Sequence, residues 1–505
     1  MAVTLGPLDL VVVDSLETAL HTHFGWSRFR AGQRPVVEAV LSGRDALAVL
    51  PTGGGKSLCY QLPALIRGGL VVVISPLVAL MEDQVLQLRR RGIAAACLHA
   101  GLDPARRQQA MAALRDESLR LLYLAPERLQ GEATQRLLET HAAEGRLVAL
   151  AVDEAHCISA WGHDFRPDYR RLGLIRRLCP GVPMLALSAT AAPRVRADIL
   201  RLLDLRSPLV QVSSARRENL RYAMQRRPRD PMPQVLEALE QSRGATLIYA
   251  RTRRSVEHWA ERLQGESVEA TPYHAGLDPA TRQTALTQFL EQERPVLVAT
   301  VAFGMGVDRG DVGLVLHLDL PSTPEGYLQE SGRAGRDGQP ARCLVLFSPG
   351  DRTSLGWAMR AAAGRGTTPD ERHRLDLAQQ QLRRMEAVAE GEMCREQALL
   401  LAVGELVDPC GRCDRCSASP KRKDWSRQAT TLLTHLDDFD GTDMRRLGEH
   451  LALHETGQGE RWTWLARRLV QEELIRESND GVQRLQLRDS GRRYLERPWP
   501  LDFAA

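Results

Sequence analysis

The segment His99-Ala-Gly-Leu-Asp-Pro-Ala-Arg-Arg-Gln returns as His274-Ala-Gly-Leu-Asp-Pro-Ala-Thr-Arg-Gln, 175 residues further on. Two apolar runs share that offset. Val71-Val-Val-Ile corresponds to Thr246-Leu-Ile-Tyr, and Leu121-Leu-Tyr-Leu to Val296-Leu-Val-Ala; beyond them the register drifts. Short apolar runs alternating with longer helix-patterned stretches predict parallel sheets covered by helices. A chain of 505 residues is too long for one ordinary core. The repeat therefore predicts two α/β domains in tandem, with a cleft between them.

The first domain carries a phosphate loop. After the apolar run Ala46 to Leu50 comes Pro51-Thr52-Gly53-Gly54-Gly55-Lys56-Ser57, then a helix-like apolar stretch. Glycines let backbone amides approach phosphate oxygens, Lys56 neutralises the outer phosphates, and the Ser57 hydroxyl suits Mg²⁺. The chain has only three lysines among 67 basic residues, and one of them is Lys56, where a compact ammonium suits phosphate. A second apolar run, Leu147 to Val152, ends in Asp153-Glu154-Ala-His156. Asp153 can hold Mg²⁺ through water, and Glu154 can position and deprotonate an attacking water.

Charge adds little, since a net +4 hints only weakly at nucleic acid. No apolar run is long enough for a bilayer, and Leu8 to Val13 lacks a preceding basic stretch. The expectation is a cytoplasmic, nucleoid-associated protein without a membrane partner. Nine cysteines in such a compartment do not suggest disulfides. Five are scattered, but Cys394, Cys410, Cys413 and Cys416 form a set that suits a closed tetrahedral Zn²⁺ site, structural in role.

Together these motifs resemble RecQ helicases of helicase superfamily 2 over nearly the whole chain. A specific match is the loop His156-Cys-Ile-Ser-Ala-Trp161-Gly-His163-Asp-Phe165-Arg166, similar to the aromatic-rich loop that couples single-stranded DNA to ATP hydrolysis in that family. Bases stack on aromatic faces with little sequence preference, and an arginine adds a phosphate contact. Trp161 and Phe165 are accordingly expected to be exposed. Trp26-Ser-Arg-Phe-Arg30-Ala-Gly-Gln33 resembles the family's adenine-recognition motif, with Gln33 paired to the adenine edge and Trp26 stacked on the ring. Ser75-Pro76 resembles a motif that touches the DNA backbone, and Ser188-Ala-Thr190 one that connects hydrolysis with strand separation. In the second domain, Ala299 to Asp308, with Gly306, resembles the fifth motif, and Gln329-Glu-Ser-Gly-Arg333-Ala-Gly-Arg336 the sixth. The resemblance makes Gln329 a nucleotide contact, and Arg333 and Arg336 reach the γ-phosphate from the second domain.

The architecture so implied is two RecA-like parallel-sheet domains over 1–207 and 208–350, a helical zinc module over 351–420 and a winged-helix-like domain over 424–497. Pro420-Lys421-Arg-Lys-Asp is expected as a linker, and Asn479-Asp-Gly481 as a hairpin turn after three helices. With its last residue at Ala505, the sequence is expected not to include the extra helical nucleic-acid-binding domain that many members of the family carry. The expected activity is ATP-dependent separation of DNA strands by a monomeric motor on single-stranded and duplex DNA, moving 3′-to-5′ by resemblance, in recombination and repair. Two competitors stay open: an RNA helicase of the same superfamily, and a DNA clamp for which nucleotide is only a switch.

Overall fold

The computed structural model describes residues 13–162, 164–301, 303, 309–362, 368–418, 422–439, 441–452, 459–478 and 483–504. His163, Gly306, Asp308, Lys421 and the turn Asn479 to Gly481 lie outside the described residues.

Seven parallel strands form the first sheet: β1 (Ala46–Val49), β2 (Leu70–Ile74), β3 (Ala95–Leu98), β4 (Leu121–Leu124), β5 (Leu147–Val152), β6 (Met184–Ser188) and β7 (Leu209–Val212), ordered β3-β4-β2-β5-β6-β1-β7. Six more form the second: β8 (Leu220–Arg226), β9 (Ala245–Tyr249), β10 (Ala270–Tyr273), β11 (Val296–Ala299), β12 (Val312–His317) and β13 (Ala341–Phe347), also parallel and ordered β10-β11-β9-β12-β13-β8. Strand for strand, β1 to β6 and β8 to β13 take the same places. Each sheet is covered on both faces by helices, so the central strands β2 and β9 are buried along their whole length, as strands of a covered parallel sheet are.

The repeated decapeptide has a local physical reason. Asp103 caps the helix Pro104–Arg115, its carboxylate accepting from Ala105 N (2.7 Å) and Arg106 N (3.2 Å), with Pro104 in the first turn. Asp278 does the same for Pro279–Glu291, accepting from Thr281 N at 3.0 Å. Even a tertiary pair recurs at the offset of 175. His99 Nε2 lies 3.4 Å from Glu82 Oε1, and His274 Nε2 lies 3.0 Å from Glu257 Oε1.

Two expectations are corrected. β7 pairs with β1, so the first sheet runs past the boundary placed at residue 207. The expected linker is partly a strand: β14 (Arg422–Asp424) pairs antiparallel with Asp502–Ala504 near the chain's end.

The zinc module consists of the helices Pro349–Ala362, Pro369–Glu390 and Arg395–Ala402, and it shares its apolar core with the second sheet. The C-terminal unit has a separate core around Trp425, Leu432, Leu447, Leu465 and Leu469. It contains the helices Ser426–Asp438, Met444–Ala452 and Gly459–Gln471, then β15 (Ile475–Glu477) paired antiparallel with β16 (Leu485–Leu487). A fourth helix, Asp489–Glu496, was not anticipated. This unit is docked on the long zinc-module helix by ion pairs in which three carboxylates, Glu386, Glu390 and Glu477, are buried. Arg352 bridges Glu386 (2.7 Å) and Glu477, Arg467 Nε meets Glu390 at 2.9 Å, and Arg468 Nη2 meets Glu392 at 3.3 Å.

Candidate active site and nucleic-acid interface

The turn from β1 into the helix Leu58–Arg67 holds Gly53 at φ +79° and Gly55 at φ +73°, a left-handed backbone that side chains resist. Lys56 and Ser57 follow at the helix start and line a cleft of about 460 Å³. Asp153 and Glu154 enter the same cleft from the end of β5, and Gln329, Arg333 and Arg336 enter it from the second lobe.

The two lobes touch at this point. A Cβ on Gly332 would lie 3.1 Å from Thr52 Cβ, so only glycine lets the second lobe's backbone rest on the phosphate loop. Arg336 passes directly over Gly53, its Cγ 3.5 Å from where a Cβ would sit. Across the cleft, Gln329 Nε2 donates to Glu154 Oε1 at 3.4 Å. From Glu154 a polar chain continues inward. His156 Nδ1 lies 3.3 Å from the second Glu154 carboxylate oxygen and 3.0 Å from Ser188 Oγ, which donates to Thr190 O at 2.7 Å. Ser188-Ala-Thr190 is thus wired to the acidic pair.

Desolvation on the cleft floor and the neighbouring Glu154 carboxylate push the Asp153 pKa up to about 7, against the pull of Lys56. A carboxylate in such surroundings suits a divalent cation, whose charge would draw the proton off. The donor set also fits a nucleotide anion. Buried Arg333 Nε and buried Ser75 Oγ, both in residues lining the cleft, have no hydrogen-bond partner among the described residues.

Around the base the structure departs from expectation. Gln33 is buried, and its amide nitrogen donates to Gly54 O (3.1 Å) and Gly55 O (2.9 Å), while its oxygen accepts from Arg30 N (2.7 Å). Arg30 also donates to Gly53 O. An amide so committed meets an adenine edge only by giving up these bonds. Trp26, Arg30, Gln33 and Gly55 nonetheless line one cavity of about 300 Å³ beside the phosphate loop. Trp26 is exposed, stacked on Phe24 at 5.4 Å, with the Arg91 guanidinium 5.7 Å from its ring centre.

The aromatic loop is more enclosed than its residue types suggest. Trp161, Phe165 and Arg166 are each half-buried. The Arg194 guanidinium sits 3.3 Å from the centre of the Trp161 ring, and Arg170 lies over Phe165 at 5.1 Å. Arg166 forks onto Asp164 (3.0 and 3.1 Å) and donates to Pro76 O at 2.7 Å, which joins the loop to the Ser75-Pro76 motif. Ser75 itself is buried and lines the nucleotide cleft.

In the zinc module the four thiol sulfurs of Cys394, Cys410, Cys413 and Cys416 lie within 4.8 Å of one another. The pairs Cys394–Cys413 and Cys410–Cys416 are 3.8 and 4.0 Å apart, close to the edge of about 3.8 Å that tetrahedral Zn–S bonds of about 2.3 Å require. Backbone amides of Arg395, Cys410, Arg412 and Cys413 point at these sulfurs, as thiolates need.

Comparison with known proteins sets this geometry in a family. Residues 30–199 match the DEAD/DEAH box helicase family, 230–338 the helicase conserved C-terminal domain, and 350–417 the RecQ zinc-binding family. The ATP-dependent DNA helicase RecQ of Haemophilus influenzae is 40% identical over 409 residues, covering 81% of this chain and 64% of the relative. RecQ of Pasteurella multocida is 38% identical over 450 residues, covering 89% of this chain and 67% of the relative. The chain belongs to the RecQ family. It spans about two thirds of the length of these two relatives. Among solved structures, the Mycobacterium smegmatis helicase Lhr superposes with a TM-score of 0.55 at 18% identity, covering 95% of this chain and 61% of that one, a likeness of fold.

For a RecQ zinc-binding module with these sulfur distances, purified protein is expected to hold about one zinc per chain by elemental analysis. Because Cys394 and Cys413 belong to the core shared with the second sheet, chelation should also lower the melting temperature. A metal-free sample that melts unchanged is the contrary result. Tyr169, which closes the motif of the aromatic loop, is buried and donates its hydroxyl to Asp153 O at 2.9 Å, whereas two residues around the RecQ motifs carried no sequence signal: Arg91 on Trp26 and Arg194 on Trp161. In a chain so rich in arginine, any one of them looks like an ordinary surface residue.

Proposed function

We propose that this chain is a DNA-stimulated ATPase that translocates along single-stranded DNA and separates duplex or forked DNA. The observation that carries the reading is the shared cleft, where Lys56, Asp153 and Glu154 of one lobe face Gln329, Arg333 and Arg336 of the other.

In this reading Gly53 to Ser57 cradle the phosphates, with Trp26, Arg30 and Gln33 beside the base. Asp153 and Ser57 would hold Mg²⁺, which neutralises phosphate charge when bound. Glu154 orients the attacking water and takes its proton, held in place by Gln329 and His156. Arg333 and Arg336 stabilise charge on the transferred phosphoryl group, and cleavage of ATP to ADP and phosphate removes the anion that joins the lobes. The lobes then part, and DNA lying across both is gripped alternately. Family resemblance supports 3′-to-5′ movement and a place in recombination and repair. The C-terminal unit, read as a winged helix, meets the duplex ahead of the motor, and the chain works as a monomer in the cytoplasm. Among the described residues no helix is long and apolar enough to cross a membrane.

Trp161 tests the coupling. Base stacking on an aromatic side chain is worth roughly 1–3 kcal/mol, so Trp161→Ala is expected to abolish stimulation by single-stranded DNA with basal hydrolysis retained. Equal stimulation of wild type and variant, or stimulation by RNA rather than DNA, is the result against the proposal.

A further inference from the structure

Trp161 is held from the other half of the molecule. His373, in the first turns of the zinc-module helix Pro369–Glu390, presents its ring edge-on to Trp161, centroid to centroid 6.1 Å at 79°. Arg194 covers a face of the same indole. Its helix, Pro193–Leu202, is fastened to the loop a second time, where Ser159 Oγ donates to Asp198 Oδ2 at 2.7 Å and accepts from Trp161 N at 3.1 Å. The zinc module also meets the start of that helix. Gly404 stands so near the Pro193 ring that a Cβ has no room, and Glu405 next to it accepts from Ala215 N (2.9 Å) in the segment joining the two sheets. His373 is otherwise exposed on its helix.

We propose that His373 is a positioning residue that holds the aromatic loop in a DNA-closed orientation, so that single-stranded DNA must break the Trp161–His373 contact before it stimulates hydrolysis. The inference rests on the proposed role of the loop as the DNA sensor. Base stacking and the Arg194–His373 enclosure compete for the same indole. The loop is joined to the catalytic acids by short bonds, with Arg166 N donating to Cys157 O at 2.9 Å and the Tyr169 hydroxyl donating to Asp153 O, so releasing the indole is felt at Asp153 and Glu154. The zinc module thereby sets the DNA concentration at which the motor engages, a role beyond its contribution to folding.

An edge-to-face pair has the strength to shift that threshold roughly two- to tenfold. His373→Ala is expected to lower the concentration of oligo-dT giving half-maximal ATPase stimulation by that factor, with the rate at saturating DNA unchanged. His373→Phe, which restores an aromatic edge, should return the threshold to that of wild type. If His373→Ala melts early, His373→Gln carries the same expectation, since it keeps a polar side chain on the exposed helix face. An unchanged threshold overturns the proposal. So does a raised one, which would make His373 a DNA contact, or a failure of His373→Phe to restore it. Wild type measured in parallel separates the two readings: with no stimulation by DNA the functional proposal falls too, and with normal stimulation only the role of His373 is decided.

Discussion

Arg336→Ala is expected to slow DNA-stimulated ATP hydrolysis about 10³-fold while nucleotide still binds the first lobe. An arginine that completes a phosphoryl-transfer site from a neighbouring body is worth 10³–10⁵ in rate, since it meets charge that develops only in the transition state. Here its stem crosses Gly53 at van der Waals distance, and it lines the cleft shared with Lys56. Nucleotide affinity should change little, because the phosphate loop and the cavity of Trp26, Arg30 and Gln33 belong to the other lobe. Single-turnover hydrolysis with a fluorescent nucleotide separates the two quantities. A variant that hydrolyses ATP at the wild-type rate would remove Arg336 from the site.

The second large effect is expected for Lys56→Ala. Lys56 belongs to the phosphate loop and shares the cleft with Asp153, and its ammonium is among the charges that oppose the upward push on the Asp153 pKa. Removing it takes away the cation facing the outer phosphates and leaves two adjacent carboxylates less compensated. Turnover should fall roughly 10³-fold or more, to assay background. Binding of single-stranded DNA should survive, because Trp161, Phe165 and Arg166 draw no contact from Lys56. Steady-state hydrolysis and anisotropy of a labelled oligonucleotide report the two sides. Normal turnover would refute the phosphate-loop assignment.

Much of this was legible in the residues because the duplication is a repeat of physical devices. An aspartate that caps a helix with proline behind it, and apolar runs that end in functional turns, leave a local imprint at each copy. The offset of 175 holds for β2 with β9, β3 with β10 and β4 with β11, then slips to 165 at β5 with β12, after a helix, Glu132–Ala143, that has no counterpart among the described residues of the second lobe. The four cysteines were readable for a similar reason, since ligand spacing is written in the chain. What escaped was settled by tertiary contact. Arg422–Asp424 is exposed and polar throughout, and its partner strand lies some 80 residues away, so nothing nearby marks it as a strand. The residues of the aromatic loop were identified by type, but their enclosure was not, because Arg194 and His373 reach Trp161 from distant parts of the sequence. Gln33 shows the same limit: its side chain can pair with an adenine, yet the nearest acceptors are the carbonyls of the phosphate loop.

The ion pairs beneath the C-terminal unit bear on how force leaves the motor. Removing one partner of a buried pair typically costs 3–5 kcal/mol, and Arg352, Arg467 and Arg468 each anchor to the single rod Pro369–Glu390 or the turn that ends it. That rod shares its core with the second sheet. Cargo bolted to a shaft moves when the shaft moves: in the proposed motor, a small rotation of the second lobe at the nucleotide would carry the C-terminal unit with it, β15 included through Glu477 on Arg352. In the proposed mechanism these pairs, not the hinge of a flexible tether, would pass a stroke from one unit to the other.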